Sequence, residues 1–552
     1  MKKHWQKAMV LVLISAITIV IGFNFFFSNQ TQQVFAAVVC NSGTLSTTCY
    51  INTTQTMANG DTISGTGNLV IQSGGNLTTA AGNFFSINMG GNITIESGGT
   101  ITGNLSNATS TNFTLNSGGS INLNGKGYYG GFNGNNISEH GQGKGGIGPV
   151  YGGGEGTPSG NNGMGGGGAY GGNGGQGTYA ASYKTGGTAY GSSTQPTDLG
   201  AGGGGVIFSG NNYYGGNGGG AIKLNISGTL SINGTITANG QNVANGSVSA
   251  YSGGGAGGSI WVVAGNLAGT GLITANGGSG YYYDNTKWGG GGAGGRIAVY
   301  VLTSSSFSNW AGILVNGGTG YVAGGAGTKY IAPISPSSLG PASYVNGSWT
   351  NNNQPTLQFT QSDPTPINTE KFRIQIANNS GFNPLVVDYT SSLLAQGATS
   401  FTVGQAAGAG TYTIGSSGQT LPDNSYYWRV MSENNQTYQS YWSLANSGAI
   451  AFGVDLTTPN IVSVDAGASS GDHTSLTSNT WFKYSDIGSD DIVSFSWTDP
   501  NSVSDDIFYY ELNTDSGNTI TGNEATTTNP YIDSILISEG TSYFHVRPKN
   551  KD

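Results

Sequence analysis

Four times between Gly216 and Ile331 a glycine cluster runs directly into a short apolar strand: Ala221-Ile222-Lys223-Leu224, Ser259-Ile260-Trp261-Val262, Arg296-Ile297-Ala298-Val299 and Lys329-Tyr330-Ile331. Ile222 to Ile260 is 38 residues, Ile260 to Ile297 is 37, and Ile297 to Ile331 is 34. A recurrence of that length is one supersecondary unit stacked on copies of itself, which predicts a solenoid. Three shorter units precede it: Leu69-Val70-Ile71-Gln72-Ser73-Gly74-Gly75, Ile93-Thr94-Ile95-Glu96-Ser97-Gly98-Gly99 and Phe113-Thr114-Leu115-Asn116-Ser117-Gly118-Gly119. Alternation with period two puts the first and third residues on one buried face, and the double glycine permits a corner with positive φ. Their spacing, 24 and then 20 residues, suits one coil of a three-sided parallel β-helix. Asn68, Asn92 and Asn112 hold the same place in each unit, where they either form a side-chain ladder along the stack or serve as tolerated turn residues.

The longer units share Ile236-Thr237-Ala238-Asn239-Gly240, Ile273-Thr274-Ala275-Asn276-Gly277 and the related Leu314-Val315-Asn316-Gly317. Asn-Gly is the favoured pair for a left-handed corner, so these are expected bends. Between Gly125 and Gly220, 39 of 96 residues are glycine, with tyrosines such as Tyr128, Tyr170, Tyr179, Tyr183 and Tyr190 interleaved. Glycine loses more backbone entropy on ordering than any other residue. The segment at about 125–220 is therefore expected to be a loosely packed excursion from one solenoid edge, with dense backbone hydrogen bonding as the alternative.

Glycine is 99 of 552 residues and charged residues are only 8%, without the Gly-X-Y period of collagen. Low charge with alternating β-branched residues also excludes a solvated disordered chain, leaving an all-β extracellular protein. Lys2, Lys3 and Lys7, an apolar run to about Phe27 and Val34-Phe35-Ala36 read as a secretory signal over 1–36, cleaved after Ala36; an uncleaved membrane anchor is the alternative. Cys40 and Cys49, the only cysteines, are expected to form a disulfide stapling the first coil.

Residues 37–336 carry six acids and seven bases, whereas the chain after Pro336 carries 20 acids and seven bases. Neither part is basic enough for nucleic-acid binding. Past Pro333 glycine thins and strands alternate, as in Lys371-Phe372-Arg373-Ile374-Gln375-Ile376 and Tyr426-Tyr427-Trp428-Arg429-Val430. That pattern predicts a β-sandwich over 337–456 and a second one over 457–552 that stops before its last strand.

Leu421-Pro422-Asp423-Asn424-Ser425-Tyr426-Tyr427-Trp428-Arg429-Val430, continued by Trp442-Ser443 and by Ala451 to Pro459, resembles the F-strand region and inter-domain joint of bacterial fibronectin type III-like and immunoglobulin-like surface domains. Tyr543 to Asn550 resembles the same place in a next copy. Gly289 to Gly295 followed by Arg296-Ile297-Ala298-Val299 is similar to glycine-rich pectin-lyase-like parallel β-helices of large exported bacterial proteins. The resemblances imply an all-β fold, a right-handed parallel β-helix over 37–336 followed by two β-sandwich domains, and a secreted or cell-surface location. They imply spacers and adhesive stalks rather than a particular activity.

Pectin-lyase-like folds include polysaccharide lyases, which hold Ca²⁺ with clustered acids and use Arg or Lys as base, and hydrolases, which need two nearby carboxylates. The solenoid acids Asp61, Glu96, Glu139, Glu155, Asp198 and Asp284 are scattered, and Arg296, its one arginine, reads as an ordinary surface residue. No catalytic residue is assigned. Asp486, Asp490, Asp491, Asp499, Asp505 and Asp506 are weak Ca²⁺ candidates, the alternative being a solvated acidic face and no cofactor. Tyr281, Tyr282, Tyr283 and Trp288, between two long repeats, are candidate sugar-stacking rings, or else a cover for the solenoid flank. The expected protein is a structural, adhesive one whose partner is an extracellular glycan or other surface or matrix component, with membrane attachment only through its signal or anchor. The alternatives are a polysaccharide lyase or glycoside hydrolase, and a self-associating surface-layer or matrix subunit.

Overall fold

The computed structural model describes residues 39–456 apart from 133, 135, 158–162, 180–181, 209, 244–250, 285–286 and 366–367; beyond 456 it describes 463–467, 492–498, 507–514, 525–529, 531–536 and 543–549. The predicted secretory signal over 1–36 and all six candidate Ca²⁺ ligands, Asp486, Asp490, Asp491, Asp499, Asp505 and Asp506, lie outside the described residues. Among the described residues the chain is nearly all β-structure with short 3-10 turns, and no helix is long and apolar enough to cross a membrane. It divides into two units, Met1–Ala298 with Ser306–Tyr330, and Val299–Ser305 with Ile331–Asp552.

The first unit is built from coils whose strands pair in parallel with their counterparts one coil on. Asn68–Ile71, Ile93–Ile95 and Phe113–Leu115 stack so that Leu69 faces Ile93, Ile93 faces Phe113, and Phe113 faces Leu230 of Ala221–Ile232. A second sheet stacks Thr54–Thr56, Asn76–Thr78, Thr100–Thr102, Ser120–Asn122, Thr235–Thr237, Leu272–Thr274 and Ile313–Leu314. The parallel strands Thr62–Gly65, Phe84–Met89 and Asn104–Ser110 return the chain to the first sheet, again through Ala221–Ile232, and the stack continues through Ser259–Gly269, Arg296–Phe307 and Thr328–Ile331. The period-two alternation works as read. Leu69, Ile71, Ile93, Ile95, Phe113, Leu115, Leu77, Ile101, Ile121 and Ile236 are all fully buried, and each stabilises the stack by roughly 1.5–3 kcal/mol.

Corners and ladders follow from the same repeats. Gly74, Gly98 and Gly118 have φ of 82°, 78° and 80°, the positive values the Ser-Gly-Gly corners require. The asparagines form the expected ladder: Asn68 Nδ2 donates to Thr48 Oγ1 (3.2 Å), Asn92 N–H to Asn68 Oδ1 (2.8 Å), Asn112 Nδ2 to Asn92 Oδ1 (3.0 Å) and Thr229 N–H to Asn112 Oδ1 (2.8 Å). The Asn-Gly pairs depart from expectation. Gly240, Gly277 and Gly317 are not among the positive-φ glycines, so these are not left-handed corners. Their asparagines form a second ladder instead, with the N–H groups of Asn239, Asn276 and Asn316 bonded to the Oδ1 atoms of Asn124, Asn239 and Asn276 at 2.7, 2.7 and 2.8 Å.

The described part of the glycine-rich excursion is not loose, and it belongs to an array that extends to later glycine segments. Successive N–H groups of Gly253–Gly258 donate to Gly204, Gly290, Gln241, Ala201, Ala293 and Ala238 carbonyls at 2.7–3.1 Å, so every third donor returns to the same neighbouring segment. Residues 200–205 do the same, toward Gly219 and Gly216, Ala169 and Gly166, and Gln142 and Glu139. Three residues per turn with no internal hydrogen bond is the periodicity of a polyproline II helix, reached here without proline. Each segment bonds to three others, which answers the backbone accounting that glycine otherwise leaves open. The alternative of dense backbone bonding is therefore the one realised. The segments run so close that a side chain at most of these glycines would enter a neighbour's backbone carbonyl, which is why the residue is glycine.

Cys40 and Cys49 are disulfide-bonded with Cα atoms 5.1 Å apart, holding the antiparallel pair Ser42–Gly43 and Thr48–Ile51 over the first coil. The double variant Cys40→Ala/Cys49→Ala should lower first-unit stability by about 2 kcal/mol. The loss should appear in hydrogen exchange as faster amides over residues 41–71, with the glycine array unaffected.

In the second unit one sheet of Ile334–Gly340, Thr356–Ser362 and Gly397–Thr402 faces another containing Glu370–Ala377, Val387–Ser391, Gly410–Ile414, Asn424–Asn434 and Phe452–Val454. Phe359 and Phe401 from the first meet Phe372, Tyr426, Trp428 and Phe452 from the second in one buried core. The Trp428 indole N–H donates to Tyr344 O at 2.8 Å, so the largest core side chain is also satisfied. Farther along, Ser463–Gly467, Ile492–Thr498 and Tyr531–Leu536 form one antiparallel sheet, and Ala525–Thr527, Ile507–Asn513 and Tyr543–Lys549 another. Phe495 and Phe544 stack between them at 4.0 Å.

Candidate functional site

Two segments that are remote in sequence meet on the first unit. Ser182–Lys184, Gly177–Tyr179, Lys287–Trp288 and Tyr282–Asp284 form a four-stranded antiparallel sheet in that order, with Thr178 opposite Trp288 and Tyr282 opposite Trp288. The glycine array fixes it from below: Gly289 N–H donates to Tyr281 O (2.9 Å), Tyr281 N–H to Ser252 O (3.1 Å) and Tyr321 N–H to Gly289 O (3.0 Å). Aromatic side chains on short antiparallel strands pack well against cross-strand neighbours, and here they are displayed rather than buried.

Two of the four aromatic residues singled out from the sequence come together, Tyr282 and Trp288. Tyr282 is half exposed, and its ring meets Trp288 edge-on with centroids 4.6 Å apart. Trp288 is partly buried, and its indole Nε1 has no hydrogen-bond acceptor among the described residues. Tyr281 turns the other way and packs edge-on against buried Tyr251 at 6.3 Å, which also contacts Tyr179 (5.5 Å) and Phe208 (5.7 Å). Tyr283 shares the strand of Tyr282, but its side chain lies outside the described residues. Tyr281 thus belongs to the flank cover, whereas Tyr282, next to it, is on the exposed face.

A second exposed pair, Tyr183 and Tyr321, lies with ring centroids 6.0 Å apart. A hydrogen bond with Tyr183 raises the Tyr321 phenol above its usual value. Tyr321 was not legible as a site residue. The available signal was its place in the third long repeat, after Asn316-Gly317, where the second repeat carries Tyr281 after Asn276-Gly277.

Five charged residues of this unit, Arg296, Asp198, Lys144, Glu155 and Lys184, are engaged with protein groups. Arg296 is only 8% exposed, which corrects the surface reading: its Nη2 donates to Tyr190 O (2.7 Å) and Tyr170 O (3.2 Å), and its Nη1 to Thr328 Oγ1 (3.0 Å). A strand-initial residue following seven glycine-rich positions looked exposed because the array that encloses it leaves no hydropathy signal. Burial pushes the phenols of Tyr170 and Tyr190 well up, so both stay neutral donors, Tyr170 to Ser259 and Tyr190 to Leu199 O. Asp198 pairs with Lys144 at 2.8 Å and Glu155 with Lys184 at 3.0 Å. Burial raises the Glu155 carboxyl, but the Thr185 backbone N–H and Lys184 outweigh it and hold the group below its usual value. No group of three His, Cys, Asp or Glu side chains able to hold a metal occurs among the described residues.

No protein-family model matches the chain, and no curated protein is significantly similar to it.

What the described geometry offers is therefore a partly exposed aromatic face. Ring faces accept the C–H surface of a sugar, and exposed phenols at their edges supply hydrogen bonds to its hydroxyls.

Proposed function

We propose that the chain is an exported surface protein that binds an extracellular carbohydrate through the aromatic face at Tyr282, Trp288, Tyr183 and Tyr321. On this reading the stacked coils wind as a right-handed parallel β-helix, the support on which the face is displayed. The observation that carries it is the exposed Tyr282 ring set edge-on against Trp288, with the exposed Tyr183 and Tyr321 rings as a second pair.

The downstream sandwiches act as spacers. Their fibronectin type III-like reading is supported by the Tyr426 hydroxyl, which donates to Pro422 O, four residues upstream, at 2.8 Å. The catalytic alternative is disfavoured because Arg296, the arginine it would use as a base, is engaged with backbone carbonyls.

Glycan-array binding of the full chain should weaken at least tenfold in both Trp288→Ala and Tyr282→Ala, about 1.4 kcal/mol or more each. Unchanged binding in both variants would reject the placement. Trp288→Phe, which keeps a smaller ring, should fall between wild type and Trp288→Ala.

A further inference from the structure

The second parallel sheet of the first unit carries a feature that glycan stacking does not use. Its outward positions form two ranks running along the stack: Thr54, Asn76, Thr100, Ser120 and Thr235 in one, and Thr56, Thr78, Thr102, Asn122 and Thr237 in the other. All ten side chains are Thr, Ser or Asn, all are exposed or half exposed, and the residues between the ranks from Leu77 onward are fully buried leucine and isoleucine. No charged residue lies in these strands.

Strand propensity favours threonine at such positions, but it does not explain this composition. The corresponding outward positions of the first sheet, under the same propensity, carry Tyr50, Val70, Thr94, Thr114, Ser231 and Ala268. Register differs too. The first sheet shifts between Leu105 and Asn107 and again between Ile226 and Thr229, whereas the strand pairs of the second keep register from Thr54 to Leu314. The ranks even continue across the glycine-rich excursion, because Ser120 and Asn122 sit beside Thr235 and Thr237, 115 residues later in the chain.

The hydroxyls of Thr54, Thr56, Thr78, Ser120 and Thr235 make no side-chain hydrogen bond among the described residues. At the far end, beside Thr237, the rank meets Thr274, which is 4% exposed and whose Oγ1 is buried without a partner. Thr102 Oγ1 donates to Asn76 Oδ1 (3.1 Å), Thr237 Oγ1 to Asn122 Oδ1 (3.4 Å) and Thr100 Oγ1 to Gly75 O (3.4 Å), so the array is satisfied by the protein only in part. A hydroxyl is both donor and acceptor, and here it repeats at about 4.8 Å from coil to coil and about 6.6 Å between ranks, the spacings of a parallel sheet and of alternate residues in a strand. A ligand matched to a grid that repeats in two dimensions is itself periodic in two dimensions.

We propose that this face binds ice. The oxygens on the prism face of hexagonal ice form a rectangular grid of comparable dimensions. Uncharged hydroxyls can take positions in that grid, their methyl groups exclude disordered water between the ranks, and charges, which would impose another water order, are absent.

The test uses the full chain in ice-affinity partition and in ice-recrystallisation inhibition. The wild type should enter the ice fraction, and Thr78→Tyr/Thr102→Tyr should reduce the partition ratio at least about tenfold. Tyrosine is a good strand former, so the fold should survive, as circular dichroism will check. Thr94→Tyr/Thr114→Tyr, the same change on the first sheet, should partition like the wild type. Exclusion of the wild type from ice, full partition of the rank variant, or equal loss in the first-sheet variant would each overturn the proposal. So would binding to microcrystalline cellulose, with no ice partition, that the rank variant abolishes, since that would assign the grid to a crystalline glycan.

Discussion

Gly218→Ala should destabilise the first unit by about 4 kcal/mol or more, although it adds one methyl group to a segment with no regular secondary structure. Gly218 N–H donates to Tyr128 O at 2.9 Å, and Gly218 O accepts from Gly127 N–H at 2.7 Å. A Cβ on Gly218 would enter the carbonyl group of Gly200, which is backbone and not a side chain that can swing aside. To relieve the overlap residues 200–205 must move, and these bond to three further segments. Overpacking an ordinary core costs about 1–3 kcal/mol because side chains re-adjust, and that adjustment is missing here. Gly210→Ala provides the comparison: its φ is +80° but nothing lies near the position its Cβ would take, so only the backbone penalty of about 1–2 kcal/mol applies. Thermal unfolding, with hydrogen exchange over residues 127–327, measures both. Equal, small losses in the two variants would show that the array is looser than its hydrogen bonds imply.

The same array explains where sequence reading succeeds and where it stops. Leu69, Ile93 and Phe113 announce their stacking because a period of two is written in side chains, and Gly74, Gly98 and Gly118 announce their corners because Ser-Gly-Gly recurs at fixed offsets. The ladder through Asn68, Asn92 and Asn112 is legible for the same reason. The three-residue turn of Gly253–Gly258 is written in no side chain at all. Its evidence is which carbonyl each N–H finds, and those carbonyls lie from 14 residues away, Gln241 for Gly255, to 55 away, Ala201 for Ala256. Local propensity misleads there, as at Asn239-Gly240, where a pair suited to a left-handed turn is used for a ladder and a close backbone approach. The candidate site divides along the same line. Tyr282 and Trp288 are close in sequence and were found together, whereas Tyr183 joins them only through the pairing of Gly177–Tyr179 with both neighbouring strands.

The second unit should be more stable in mild acid than in mild alkali, and one side chain should account for the difference. Glu370 is fully buried in Glu370–Ala377, and burial first, then the nearby charge of Asp363, pushes its carboxyl up to about 7. Gln361 Nε2 donates to Glu370 Oε2 at 3.4 Å, while Glu370 Oε1 and Gln361 Oε1 are buried with no donor. A proton on Glu370 supplies that missing donor. The folded pKa lies above the unfolded value, so the contribution is fully present below about pH 4.5 and is lost as pH rises to about 7. From the size of the shift the loss is at most about 3 kcal/mol. Asp388 and Glu433 act in the opposite sense: Arg373 and Lys371, with their other hydrogen-bond partners, overcome burial and hold both carboxyls low. Their contribution is present above the ordinary carboxylate pKa and fades only in stronger acid, so the two windows separate. Glu370→Gln keeps the shape and the polar contacts without a titrating proton. It should be more stable than the wild type at pH 8 by roughly 1–3 kcal/mol and nearly equal to it at pH 4.5. The difference between the two denaturation curves as a function of pH cancels every other titrating group, including the histidines. A difference that stays constant from pH 4.5 to pH 8 would mean that Glu370 is ionised in the folded protein and that its partners have been misassigned.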